Sequence, residues 1–143
     1  MSEQNKALAR TFYEAFASGE VDRLDEIMAE DAVDHDTQNP FAGNGREGAK
    51  QAIAMYRAAF SDLRFEIEDQ VAEGDMVVTR WTGTGTQDGE LMGAPASGKV
   101  SIVSGITVDR IEDGKIAEGW TSWDTLGMLQ QLGLAEQPAA AQA

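Results

Sequence analysis

Hydrophobic positions change their spacing once along this chain, and the change divides it in two. From Glu3 to Ser18 the apolar residues Leu8, Phe12, Ala15 and Phe16 recur at three and four, which predicts a helix with one buried face. Ser18-Gly19 stops it. Val21, Leu24, Ile27 and Met28 predict a short second helix with Asp22, Asp25 and Glu26 turned outward. Asp31 to Asp36 reads as a short strand or extended piece. The stretch TQNPFAGNG, from Thr37 to Gly45, is rich in turn residues. Glu47 to Phe60 is a third helix carrying Ile53, Met55, Tyr56, Ala59 and Phe60, with Asn44 as its expected cap.

Beyond Phe60 the pattern alternates. Leu63, Phe65, Ile67 and Val71 predict one strand, Met76 to Gly85 a second, Val100 to Ile111 a third and Lys115 to Asp124 a fourth. Asp113-Gly114 is the hairpin signal between the last two. Thr125 to Leu132 predicts a short closing helix. Helices first and strands afterwards argue for an α+β fold rather than a parallel α/β sheet. Strands this long twist and curl. The expected architecture is therefore N-terminal helices packed on a strongly curved antiparallel sheet, forming a cone or α+β barrel with a mouth. Residues 1–134 make one domain, and the last nine, AEQPAAAQA, lack a core-forming pattern and are expected to form a flexible tail.

Composition narrows the chemistry. The 143 residues include 25 acidic and 11 basic ones, a formal net charge of −14. The basic residues are scattered, so neither nucleic acid nor an anionic membrane is an expected partner. With no cysteine and one histidine, disulfides, thiolate chemistry and a multi-histidine zinc site are excluded. No metal and no organic cofactor is expected. The polar N-terminus and the lack of a long apolar run point to a cytoplasmic protein. Apolar residues on the back of the strands, such as Ile102 and Val103, need cover, which predicts a homodimer.

Several segments carry a family resemblance: VDHD (Val33 to Asp36), AFSDLRFEIED (Ala59 to Asp69), EGDMVVTRWTGTGTQDGELMGAPASGK (Glu73 to Lys99) and DRIEDGKIAEGWTSWDTLGMLQQLG (Asp109 to Gly133). Together they resemble the SnoaL-like polyketide cyclases, within the nuclear transport factor 2-like and ketosteroid isomerase-like superfamily. The resemblance implies a cofactor-independent enzyme that closes rings by acid/base, aldol-type chemistry on a hydrophobic polyketide-like substrate. It also leaves room for an isomerase, a hydrolase, a hydroxylation-assisting protein or a non-catalytic binding or dimerisation module. In that family a carboxylate four residues after the tryptophan of the E-x-W strand is the acid/base; here these are Trp120 and Asp124. Gly119 and Gln87 stand where the family commonly has histidine.

Strand parity puts Trp120, Ser122 and Asp124 on one face. If that face is concave, Asp124 sits beside an indole in an apolar cavity, where burial raises its pKa and makes it a base. Asp124 is also a favoured cap for the helix that follows. His35 is the second catalytic candidate, placed near the cavity by the resemblance. Gln38 and Asn39 could donate to an enolate oxygen, although turn chemistry also accounts for Asn39 before Pro40. Phe12, Phe16, Tyr56, Phe60 and Trp81 are expected as core and as walls of a substrate site.

Overall fold

The computed structural model describes residues 2–136. Helix α1 spans Ser2–Ser18 and ends at Gly19, whose φ of +79° suits a residue without a Cβ. The expected second helix is shorter than its apolar spacing suggested. A 3₁₀ turn at Val21–Arg23 leads into α2, Leu24–Ile27, and Met28 already begins strand β1, Met28–Asp34. Helix α3 runs Gly45–Ala59. Asn44 precedes it but does not cap it through its side chain; its Nδ2 donates to Gln51 Oε1 at 3.0 Å.

The alternating half folds as expected into β2 (Arg64–Glu73), β3 (Met76–Thr86), β4 (Val100–Glu112) and β5 (Lys115–Trp123), followed by α4 (Thr125–Gln131). These four strands form an antiparallel meander. The β4–β5 turn places Asp113 and Gly114 at φ +52° and +74°, the left-handed pair that matches strand twist.

The sheet differs from expectation in one strand. β1 pairs in parallel with β5, setting Val33 against Glu118 and Asp34 against Gly119, so the sheet is mixed, with order β1-β5-β4-β3-β2. Glu30 and Asp31 interrupt the alternation of β1, and the register shifts between Met28 and Val33. The sheet curls but does not close into a barrel, since β1 and β2 remain at its edges. Shifts in register at Ile67/Asp69 and Arg110/Ile111 add to the bend.

Helices α1 and α3 lie across the concave face, α1 on β2 and β3 and α3 on β1. One apolar cluster, with Leu24, Ile53, Val77, Ile111 and Ile116, packs at one end. A second, with Phe60, Leu91, Met128 and Leu132, packs at the other. β5 ends at Trp123 while β4 continues, which leaves the backbone of Ile102 without a strand partner on that side. The Gln131 side chain takes that place: Ile102 N donates to its Oε1 at 2.7 Å and its Nε2 donates to Ile102 O at 2.9 Å. Among the described residues, no helix is long and apolar enough to cross a membrane.

The floor of the concave face depends on a missing side chain. Gly105 faces inward on β4, and the Trp81 ring lies directly against it, so that a Cβ at residue 105 would collide with ring carbons Cζ2, Cε2 and Cη2. Gly105→Ala is therefore expected to displace the indole and cost about 1–3 kcal/mol in urea denaturation.

Candidate active site

The space between α1, α3 and the concave face holds a cavity of about 150 Å³, with a neighbouring chamber of about 80 Å³. Phe12, Tyr13, Asp34, Ala49 and Thr121 belong to both walls. α1 contributes its aromatic face at helical spacing, and the rings interlock: Phe16 meets Phe65 edge-on at 4.9 Å, and Phe65 meets Trp81 at 5.4 Å. From α3 and its end come Tyr56 and Phe60; Tyr56 stands edge-on to Trp123 at 6.0 Å. Gly83 and Gly85 on β3 make room for these rings, since a Cβ at Gly83 would stand 3.1 Å from Phe65 Cε1 and one at Gly85 3.0 Å from Phe60 Cβ.

Polar groups gather at one end. Thr107 Oγ1 lies 2.6 Å from the Tyr13 hydroxyl and 3.2 Å from Thr121 Oγ1, and Trp81 Nε1 donates to it at 3.1 Å. A threonine hydroxyl has one proton and two acceptor positions. With one acceptor position taken by the indole, Thr107 can accept from Thr121 and donate to Tyr13. That arrangement frees the Tyr13 proton for a ligand. Burial, then the nearby Asp109 charge, raises the Tyr13 pKa strongly, so its hydroxyl stays protonated.

Asp109 is the group that the sequence reading missed. It faces inward on β4, in phase with Gly105 and Thr107, and is only 7% exposed. Burial, reinforced by the charge of Asp34, raises its pKa to about 7. Gly119 gives it room: a Cβ there would stand 3.1 Å from Asp109 Oδ1. Asp34 also reaches the cavity, and its two oxygens accept from Asp36 N and from Asn39 Nδ2, each at 2.7 Å. Asp36 lines the cavity as well, and burial raises its pKa. A polar residue at an inward position of β4 was the available signal for Asp109.

Of the residues expected at the site, Phe12, Phe16, Tyr56, Phe60, Trp81 and Asn39 line the cavity. Asn39 Nδ2 keeps one proton beyond the one given to Asp34. The expected face of β5 is corrected. Trp120, Ser122 and Asp124 do share a face, but it is the outer one; Thr121 and Trp123 point inward. Asp124 is exposed and caps α4, accepting from Gly127 N at 2.9 Å. His35 is also outside, stacked on Trp120 at 5.0 Å and 2.7 Å from Glu118 Oε2. Its contact, followed by that of Arg110, lowers the Glu118 pKa. Gln38 is exposed and bonded to Thr37. Val103, expected on the back of the sheet, lines the cavity instead. Gln87 is buried and organises its own loop, donating to Gly89 O and Pro95 O and accepting from Ser97 N. Among the described residues no group of three His, Cys, Asp or Glu side chains is disposed to hold a metal ion.

Comparison with known proteins places the chain in a family. The pattern of the SnoaL-like polyketide cyclase family matches residues 6–132. Among solved structures, IdmH from Streptomyces antibioticus, named as a candidate polyketide cyclase, is 35% identical over 91% of this chain and 99% of its own, with a TM-score of 0.79. TsrD from Streptomyces laurentii is 32% identical over 93% and 97%, with a TM-score of 0.84. AclR from Streptomyces galilaeus, named as a candidate hydroxylase, shares the fold at 24% identity, with a TM-score of 0.85 over 99% and 89%. No curated protein sequence matches. The aromatic cavity and its buried carboxylate thus sit in a chain that belongs to the SnoaL-like polyketide cyclase family.

Proposed function

We propose that the protein is an acid/base enzyme that closes a ring in a hydrophobic, multi-carbonyl substrate, with Asp109 as the proton-transfer group. The observation that carries this reading is a nearly buried carboxyl, with its pKa near neutrality, beside an apolar cavity. Such a group exchanges protons readily at neutral pH. Asp124, spent on a helix cap in solvent, lacks that environment.

The proposed reaction needs no outside reagent. The Asp109 carboxylate takes a proton from a carbon between two carbonyls, and the C–H electron pair becomes an enolate. The enolate carbon attacks an internal carbonyl carbon, forming the C–C bond and moving the π pair onto oxygen as an alkoxide. Protonated Asp109 then returns its proton to that alkoxide. Tyr13 donates a hydrogen bond to the enolate oxygen while Thr107 holds it in place. The aromatic walls fold the chain so that the reacting carbons meet, and they keep water out. The same proton transfer would serve an isomerisation.

Proton abstraction can be read without the native substrate, as deuterium exchange at the α-carbon of tetralone followed by NMR. The wild-type rate is expected to rise as pH passes about 7, because only the carboxylate is a base. Asp109→Asn should slow exchange by a factor of about 10²–10⁴, and Asp124→Asn should not. An Asp109→Asn protein that exchanges at the wild-type rate would remove Asp109 from the reaction and leave a binding module.

The burial that tunes Asp109 also affects stability. Its folded pKa, about 7, exceeds its ordinary 3.8, so the folded state binds more protons between those values. The stability that comes with the protonated form is present below about pH 4 and is lost as pH rises through about 7. Asp109→Asn is therefore expected to be more stable than wild type at about pH 8, by on the order of 1–4 kcal/mol, with the difference vanishing below about pH 4. Urea denaturation at the two pH values checks this.

The assembly is proposed to be a homodimer through the outer face of the sheet. Val100, Ile102 and Ile106 form an apolar row there, about half exposed. Light scattering at micromolar concentration should give twice the chain mass, and Ile102→Glu should give the monomer.

A further inference from the structure

The inward positions of β4 are Ser101, Val103, Gly105, Thr107 and Asp109, and its two hydroxyls there have opposite surroundings. Thr107 bonds to three partners. Ser101 is only 4% exposed and lines the main cavity, yet its hydroxyl makes no hydrogen bond to any described residue. Its place in the sheet explains this. Its partner across β3 is Gly85, which has no side chain, and Phe60 packs against that glycine. On the other side β5 has already ended, since its last pair sets Trp123 against Gly105. The cavity wall at this end is Phe60, Leu63, Val103 and Met128, none of which carries a hydrogen-bonding side chain. A buried hydroxyl left unpaired works against folding, so this one calls for a partner inside the cavity.

Resting on the reading of this cavity as the substrate site, we infer that Ser101 determines specificity by donating a hydrogen bond to a carbonyl oxygen at the end of the substrate remote from Tyr13. The proposed reaction uses the Tyr13 end, which Thr107 fixes on the same strand. Six residues separate Thr107 from Ser101, at most about 20 Å along β4. A carbonyl bound at Ser101 is therefore not one of the reacting pair. It sets the direction in which the substrate lies and stops it from sliding along the aromatic walls. The surroundings select a neutral acceptor. No basic residue lines the main cavity among the described residues, while Asp34 and Asp36 belong to its wall, so a carboxylate would lose its hydration with no counter-charge. Tyr56 on α3 adds a second hydroxyl without a described partner; burial, then the charge of Asp36, raises its pKa to about 12, so it too offers a proton to a neutral oxygen. A hydrocarbon at the Ser101 end would leave the hydroxyl unpaired, which is how such a site rejects it.

Three probes of one shape test this: a naphthalene with an acetyl group at each end, the same compound with one acetyl replaced by isopropenyl, and the same with one replaced by carboxylate. Trp81 and Trp123 line the cavity, so quenching of tryptophan fluorescence reports binding. The diketone is expected to bind at least about tenfold more tightly than the isopropenyl ketone, and the keto acid more weakly than the diketone. Ser101→Ala should bring the diketone to within about twofold of the isopropenyl ketone, whose own affinity should not fall. In the infrared spectrum of the bound diketone, one carbonyl stretch should move to higher wavenumber in Ser101→Ala, a signature that a merely structural role would not produce. Ser101→Ala should also withstand urea as well as wild type, because it loses no bond within the protein. A diketone that binds no better than the isopropenyl ketone, a preference or a carbonyl stretch unchanged in Ser101→Ala, a keto acid that binds as well as the diketone, or a clear loss of stability in Ser101→Ala overturns the inference. None of these results touches Asp109-dependent exchange of tetralone. Conversely, wild-type exchange by Asp109→Asn would remove the catalytic reading while a Ser101-dependent diketone preference still upheld this one, so the two fail separately.

Discussion

The hydroxyl of Thr107 holds the site together. It ties the Trp81 indole, the Tyr13 phenol and Thr121 into one cluster, joining β3, α1 and β5 through a single side chain on β4. The indole can reach it because Gly105 leaves the strand bare at the place where the ring lies. Tyr13 in turn anchors α1 across the concave face, and this sets how much of that face stays open. Without that anchor, the polar ties that remain between α1 and the sheet include those of Arg10 and Lys6 to Gln70 on β2.

Two residues further along β4, Asp109 carries the opposite kind of interaction. Thr107 is satisfied several times over, whereas Asp109 is buried without a donor. A carboxyl buried like this, bordering a chamber and accepting no hydrogen bond from a described side chain, works against folding above its ordinary pKa. The placement of the two side by side has a simple chemical logic. The satisfied cluster is rigid and orients the phenol, while the unsatisfied carboxyl stays free to exchange a proton.

Much of this was legible in the sequence, and what was not has a physical reason. The alternation from Phe65 onward located β2 to β5, because those strands are long and bury one face. Trp120, Ser122 and Asp124 were recognised as sharing a face, but period two gives parity and not sign. β5 carries Trp120 on one face and Trp123 on the other, so aromatic content could not choose between them. Asp124 as a helix cap was legible from residue type alone. β1 was read short because Glu30 and Asp31 break its pattern and because its partner, β5, lies some 80 residues away in sequence. Asp109 was hidden by its neighbours, since it opens the stretch Asp109-Arg110-Ile111-Glu112-Asp113-Gly114, which resembles an ordinary hairpin approach.

The Gln131 amide at the unpaired stretch of β4 bears on how the protein survives at high concentration. A strand with free N–H and C=O groups and apolar residues such as Val100 and Ile102 is a template on which a foreign strand could add. A primary amide presents one acceptor and one donor at about the spacing of a backbone unit, so Gln131 fills the template with a group that cannot be extended. It also ties α4 to the sheet, and Met128 on that helix rides with it at the cavity's apolar end. Protection against intermolecular strand growth and the shape of the cavity's apolar end thus depend on the same side chain.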